Sequence, residues 1–97
     1  MHVIPIDQVD YVEAQDDYIA VKVGELSHLK EQPLADLKKG LDPTRFVRIH
    51  RRYLLQIDRL VRIETTATNS RIAVLTNQTR LPISRSGYQR LTGLLGG

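Results

Sequence analysis

Cationic side chains cluster at two points of this sequence, and both clusters suggest binding of a polyanion. The first cluster lies in the segment Phe46 to Asp58, where cationic and apolar residues alternate at period two until the cations bunch at a break. Alternation of this kind predicts a strand with an apolar face in the core and a cationic face at the surface: Arg48, His50, Arg51 and Arg52. Because Arg can hold a phosphate bidentately and can also read guanine O6 and N7, such a surface fits nucleic acid.

The second cluster is Ser84-Arg85-Ser86, where a predicted strand gives way to a predicted helix. Serine hydroxyls and the unpaired N–H groups of a helix N-terminus together form an anion site. Residues on turns point outward, so Arg51, Arg52 and Arg85 are predicted to contact the ligand. The remaining arginines on predicted strands are expected only to face solvent: Arg48, Arg59, Arg62 and Arg71. Among them Arg48 is the ambiguous case.

Catalytic motifs are absent from the sequence. It contains no Gly-rich phosphate loop, no His-Glu-x-x-His and no nucleophile elbow. The three histidines lie far apart in different predicted elements, and there is no Cys, so neither a metal site nor a cofactor is predicted: His2, His28 and His50. Ser84 beside Arg85 lacks an identifiable base. The sequence therefore predicts a protein that is not an enzyme.

Charge is distributed unevenly along the chain. The formal net charge is +3, but the first 33 residues carry two Lys against seven Asp or Glu, whereas residues 34–64 carry eight basic against four acidic residues. Residues 65–97 add four Arg and no acid. Such asymmetry is typical of a nucleic-acid binder, although a solvated basic face would produce it too.

The length and composition fit one domain over residues 1–97. A composition of 41% hydrophobic and 26% charged residues is ordinary for a globular protein. No apolar run approaches the roughly 18 residues of a membrane span, and the N-terminus lacks a signal-peptide pattern. We therefore expect no membrane association and a cytoplasmic protein.

The hydrophobic pattern predicts a mainly β, antiparallel fold with one or two short helices. One helix is predicted around Leu34, Leu37 and Leu41, with Pro33 at its first position and Gly40 at its end. A second helix is predicted to begin near Ser84 or Ser86, because Ser86 to Gln89 fits a capping box. Thr65 to Ser70 is predicted to be a loop. Strands are predicted at Tyr18–Val23, Leu26–Lys30, Leu54–Ile57, Leu60–Ile63, Arg71–Leu75 and Thr79–Ile83, with weaker β-prone segments at Val3–Ile6 and Val9–Val12.

Aromatic residues are few and mostly occupy core-like positions, Tyr53 being the exception. Proteins that bind single strands usually present several exposed aromatics for base stacking. Duplex DNA is therefore favoured as the ligand. The alternative is a small β module that binds protein or RNA and uses its basic face mainly for solubility.

Four motifs in order resemble the LytTR DNA-binding domain: Tyr-Val-Glu-Ala-x-x-x-Tyr (Tyr11 to Tyr18), Pro-Leu-x-x-Leu (Pro33 to Leu37), Phe-Val-Arg-Ile-His-Arg-x-Tyr-Leu (Phe46 to Leu54) and Leu-Pro-Ile-Ser-Arg (Leu81 to Arg85). The resemblance implies an elongated fold that places loops in successive major grooves. It also implies a bacterial transcription regulator that binds promoter direct repeats, with a second copy of itself on the DNA. Many members carry an N-terminal receiver domain, for which 97 residues leave no room, so we expect either a stand-alone domain or one excised from a larger regulator with an upstream receiver domain.

The resemblance also implies roles for individual residues. Arg51, after the motif His50, would read bases, and Arg85, after Ser84, would read bases in the neighbouring groove. Phosphates would be held by Arg52, Ser86 and Gln89. His50 and Ser84 are counted with these residues as part of the predicted DNA-binding site. The family's third contact comes from the loop Gln15 to Tyr18, which here carries Asp16 and Asp17. Carboxylates repel phosphate but can accept a hydrogen bond from cytosine N4, so this loop either contacts a different base or makes no DNA contact. The chain also has Arg52 where Ser is common and Leu55-Gln56 where Val-Asn is common.

Overall fold

The structure is a computed structural model that describes residues 6–96. Within this range the chain forms eight strands and two short α-helices, so the mainly β prediction is confirmed. Short 3-10 turns lie at Ile6–Gln8 and Ile57–Arg59. In chain order the main elements are β1 (Tyr11–Gln15), β2 (Tyr18–Val23), β3 (Leu26–Lys30), α1 (Leu34–Lys39), β4 (Phe46–His50), β5 (Tyr53–Gln56), β6 (Leu60–Thr65), β7 (Arg71–Leu75), β8 (Arg80–Ile83) and α2 (Arg85–Leu94).

The strands form two antiparallel sheets. One sheet has the order β3-β2-β1-β5-β4, and the other has the order β6-β7-β8. The principal extents of 43 × 26 × 25 Å make the molecule elongated. The long axis exceeds the roughly 34 Å of one DNA helical turn.

The five-stranded sheet is covered on both faces. Alternate residues of β4 and β5 point to opposite sides, so Phe46 and Leu54 join the core beneath α1, while Val47, Ile49 and Leu55 join a second core. That second core is completed by residues of the small sheet and of α2: Ala73, Leu75, Leu81, Ile83 and Leu91. The hairpin of β4 and β5 is therefore held from both sides.

A buried polar network ties the residues before β1 to the base of this hairpin. Asp10 is only 7% exposed; it accepts from the Gly24 amide at 2.9 Å and from Arg59 Nε at 2.8 Å. The amide of buried Gln56 donates to the carbonyls of Val9 and Asp7. The side chains of Asp10 and Gln56 thus both have partners, which offsets the cost of burying them.

The structure corrects several predicted boundaries. The segment predicted at Val9–Val12 is instead a strand over Tyr11–Gln15, because pairing with both β2 and β5 decides its position more than its apolar residues do. Pro33 precedes α1 rather than opening it, and Thr65 ends β6 instead of starting a loop. The prediction for residues 3–5 lies outside the described residues.

Asn77 and Gln78 lie in the turn between β7 and β8, in which the Gln78 amide donates to the Leu75 carbonyl at 2.9 Å. Gln78 takes the left-handed conformation, with φ of 69°, although Gln disfavours it. Asn77 compensates, because its side-chain oxygen accepts from the Thr79 amide at 3.1 Å. This local bond secures the hairpin of β7 and β8.

Candidate nucleic-acid interface

Arg51 and Arg52 form the exposed two-residue turn between β4 and β5. The strand register is irregular just before this turn: Arg48 lies opposite Leu54 and His50 lies opposite Tyr53. Ile49 is therefore an extra residue on β4. A bulge of this kind removes one residue from the strand ladder and re-aims the residues after it.

His50 contacts the turn from its strand side. Its Nδ1 accepts from the Arg52 amide at 3.2 Å, and its ring packs against Tyr53 with 5.7 Å between centroids. Burial, and to a lesser degree the charges of Arg51 and Arg52, lowers the pKa of His50 below its ordinary value. The neutral ring, with Nδ1 as acceptor, is the form that this geometry favours.

The second cluster opens α2. Ser84 is the N-cap residue, and its Oγ accepts from the Gly87 amide at 3.0 Å. The capping box predicted at Ser86 to Gln89 is wrong, because Ser84 already occupies the cap and Ser86 lies inside the first turn of the helix. Arg85, Ser86 and Gln89 are all exposed on the first two turns of α2.

The two clusters are joined through Ile49. The Ser84 amide donates to the Ile49 carbonyl at 2.8 Å, which the bulge leaves outside the ladder. Gly87 packs against the same peptide, and a Cβ atom at position 87 would lie 1.9 Å from the Ile49 oxygen. Standard backbone dimensions then place the Cα atoms of Arg51 and Arg85 within about 18 Å of each other. The turn and the helix start thus form one surface.

A third turn borders this surface. Asp16 and Asp17 connect β1 to β2, and Ala14 on β1 donates its amide to the Arg52 carbonyl at 2.7 Å. Asp16, Arg51 and Arg52 line a common cleft. Within residues 6–96 neither carboxylate lies within 4.0 Å of a cationic nitrogen, so both stay open to a ligand.

Several other arginines have partners inside the protein. Arg59 pairs with buried Asp10, and Arg71 lies over the Tyr88 ring at 3.9 Å from its centroid, so neither is merely a solvated strand residue. Arg62 and Arg80 both bind Glu64, and these hydrogen bonds lower the pKa of its carboxyl. Within the part of the chain that the structure describes, Arg51, Arg52 and Arg85 make no ion pair.

Sequence reasoning also missed the internal roles of Arg48 and Arg90. Arg48 reaches the Arg51 carbonyl, and Arg90 on α2 reaches the Arg48 carbonyl. Arg48 is half-buried and therefore not a solvated strand residue. The alternating pattern of β4 predicted that the Arg48 side chain points outward, but it gave no indication that the Arg51 carbonyl would be its hydrogen-bond acceptor.

Residues 6–96 include no helix long and apolar enough to cross a membrane. The same residues contain no group of three His, Asp or Glu side chains placed to hold a metal ion.

Comparison with known proteins identifies similar chains. The family model described as the LytTr DNA-binding domain matches residues 1–96. A solved structure, the LytTr DNA-binding domain of a Bacillus cereus protein described as a putative methyl-accepting/DNA response regulator, has a TM-score of 0.86 at 26% identity, covering 97% of this chain and 86% of that one.

Two curated relatives are longer proteins. The sensory transduction protein LytT of Bacillus cereus is 24% identical over 92 residues, which are 95% of this chain and 37% of that protein. The heme-containing CO-sensing transcriptional regulator RcoM 2 of Paraburkholderia xenovorans is 31% identical over 97 residues, which are 97% of this chain and 36% of that protein. The chain thus spans little more than a third of either relative.

Proposed function

This chain belongs to the LytTr DNA-binding domain family, and from that premise we propose that it binds duplex DNA sequence-specifically within a bacterial transcription regulator. The observation that carries the proposal is the bond between Ser84 and Ile49, which unites two exposed arginine-bearing turns on one surface. Arg51 and Arg85 make no ion pair within residues 6–96, so their guanidinium groups are available to base edges and phosphates.

Residue roles follow from exposure and position. Arg51 and Arg85 read bases from the major groove, where Arg can bind guanine O6 and N7 together. Arg52, Ser86 and Gln89 hold phosphates, because all three are exposed beside a reading residue or on the first turns of α2. His50 and Ser84 make internal contacts that position these groups.

The separation of Arg51 and Arg85 constrains how they approach the duplex. Successive major grooves lie about 34 Å apart, whereas the two Cα atoms lie within about 18 Å. To enter successive major grooves, the two side chains must extend away from each other along the DNA. Contacts within a single major groove would need no such extension, so the spacing of protected bases distinguishes the two arrangements.

The whole chain acts as one DNA-binding unit in the cytoplasm, and a second copy occupies a neighbouring direct repeat at the promoter. A receiver domain upstream of this unit would supply the signal. The extra length of the curated relatives supports further domains around a unit of this kind.

Binding to duplexes selected from a random library tests the proposal. If four or five phosphates are neutralised, log K against log salt should have a slope of roughly −4, from about −0.9 per contact. We expect selected duplexes to bind far better than random ones and better than single-stranded RNA of the same length. A flat salt dependence, or equal affinity for the RNA, would favour the protein- or RNA-binding alternative.

A further inference from the structure

Arg48 has an internal contact that its position in a strand does not require. Its Nη2 donates to the Arg51 carbonyl at 2.5 Å. Its Nε is enclosed and has no hydrogen-bond partner within residues 6–96. An enclosed donor without a partner has a desolvation cost, which other contacts of the protein must offset.

A second arginine holds the backbone of Arg48 itself. Arg90 on α2 donates from Nη1 to the Arg48 carbonyl at 3.1 Å. The contacts therefore run from the body of α2, through Arg48, to the Arg51 carbonyl. They add to the bond between Ser84 and Ile49, which joins the start of the same helix to the same strand.

Side chains bind both polar groups of the peptide at the centre of the turn. Arg48 binds the carbonyl of Arg51, and His50 accepts the amide of Arg52, so both polar groups of the peptide between these arginines are engaged. Within the described residues no carboxylate lies within 4.0 Å of Arg48. The Arg51 carbonyl therefore serves as the acceptor for Arg48, in a region that also contains the cationic side chains of Arg51, Arg52 and Arg90.

We propose that Arg48 is a positioning residue, which fixes the peptide between Arg51 and Arg52 before DNA arrives. Preorganisation of this kind raises affinity by reducing the entropy lost on binding. The effect on DNA binding rests on the proposed function, whereas the effect on the turn does not. A planar guanidinium suits the role because its donors have fixed directions, unlike the rotating ammonium of Lys.

Backbone dynamics of the free protein test the proposal without DNA. In the wild-type protein we expect ¹⁵N relaxation to show rigid amides at Arg51 and Arg52, with order parameters of about 0.85. Arg48→Ala should lower these order parameters toward about 0.6. Arg62→Ala is the matched control, since it removes the same charge from an exposed pair with Glu64 on the other sheet. If Arg48→Ala leaves these order parameters unchanged while its spectrum still shows a folded protein, the proposal is overturned.

Binding to a selected duplex provides the second test. Arg48→Ala should weaken specific binding by about tenfold, and this loss should largely vanish in an Arg51→Ala background, because coupled residues are not additive. The salt slope should stay the same. Additive losses together with a slope reduced by about 0.9 would instead make Arg48 a phosphate contact.

Arg48→Lys separates geometry from charge. We expect this variant to resemble Arg48→Ala in both the relaxation and the binding measurements; full rescue by Lys would show that charge alone matters and would refute the proposal. If wild type shows no preference for any duplex, the proposed function fails, while the relaxation result still decides the role of Arg48.

Discussion

Ser84 and Ile49, which are 35 residues apart in the chain, are joined by a backbone hydrogen bond of 2.8 Å between the Ser84 amide and the Ile49 carbonyl. The bond is possible because a bulge removes Ile49 from the ladder of β4 and β5. It brings the start of α2 beside the turn of Arg51 and Arg52. The candidate interface therefore depends on this joint between strand and helix.

Gly87→Ala should separate α2 from β4. The new methyl group would lie 1.9 Å from the Ile49 oxygen and 2.4 Å from its carbonyl carbon, and backbone cannot move aside as a flexible side chain can. We expect a loss of about 3 kcal/mol in the free energy of unfolding, measured by urea denaturation, and weaker DNA binding.

Gly93→Ala is the control for that variant. Gly93 lies in the same helix with open space around its Cβ position, so Ala should be neutral or stabilise the protein by about 0.5 to 1 kcal/mol. Equal destabilisation by both variants would show that helix substitution itself, and not contact with Ile49, is responsible.

Arg51→Ala and Arg85→Ala should each cost about 1 to 3 kcal/mol of binding free energy on a selected duplex and relax preference at one base pair. Arg52→Ala should weaken all duplexes alike, since phosphates carry no sequence information. Fluorescence anisotropy with selected and random duplexes measures both quantities. The same loss on selected and random DNA for Arg85→Ala would refute its role as a base reader.

Ser84→Ala and Ser86→Ala should separate stability from binding. Removing the N-cap oxygen of Ser84 should lower the free energy of unfolding by about 1 kcal/mol. Ser86 is exposed within the first turn, so its loss should leave stability nearly unchanged and reduce DNA affinity. Thermal unfolding and binding, measured on both variants, decide this; a larger stability loss for Ser86→Ala would contradict the assignment of the cap.

Acidification should loosen the Arg51–Arg52 turn through His50. The folded state depresses the pKa of His50 below 6.5, through burial first and then the charges of Arg51 and Arg52. Below about pH 6.5 the unfolded chain therefore binds more protons at this position than the folded chain, and stability falls as pH falls toward the folded pKa. Above that window His50 contributes no pH dependence.

An NMR titration of the free protein measures this effect. Protonation removes Nδ1 as an acceptor, so the Arg52 amide resonance should shift with the same midpoint as the His50 ring. An Arg52 amide that does not follow the His50 titration would count against this hydrogen bond.

Asp10→Ala should destabilise the protein more than an exposed acid would. Its carboxylate binds the Gly24 amide and the partly buried Arg59, whose guanidinium would lose its ion-pair partner. We expect a loss of about 3 kcal/mol in the free energy of unfolding, as for other buried pairs broken on one side. Asp36→Ala is the control, because Asp36 and Lys39 form an exposed pair at 4.0 Å; equal losses would show that burial of Asp10 has no energetic weight.

The sequence by itself determined the local features of this protein. Period-two alternation identified most strands, and the breaks placed Arg51, Arg52 and Arg85 at exposed turns, because a local pattern decides which side of an element faces the core. The combined motifs were specific enough to indicate the family, which the family model confirms. The roles of these residues on DNA remain predictions.

Only the tertiary structure decided which distant residues meet. The bulge at Ile49, the contact with Gly87, the cap at Ser84 and the contact of Arg48 with the Arg51 carbonyl all depend on how β4, β5 and α2 pack together. Alternation specifies a face but not the partner on that face, since many partners satisfy the same apolar or polar requirement. Close packing selects among them, and it joined two arginine-bearing turns into one surface.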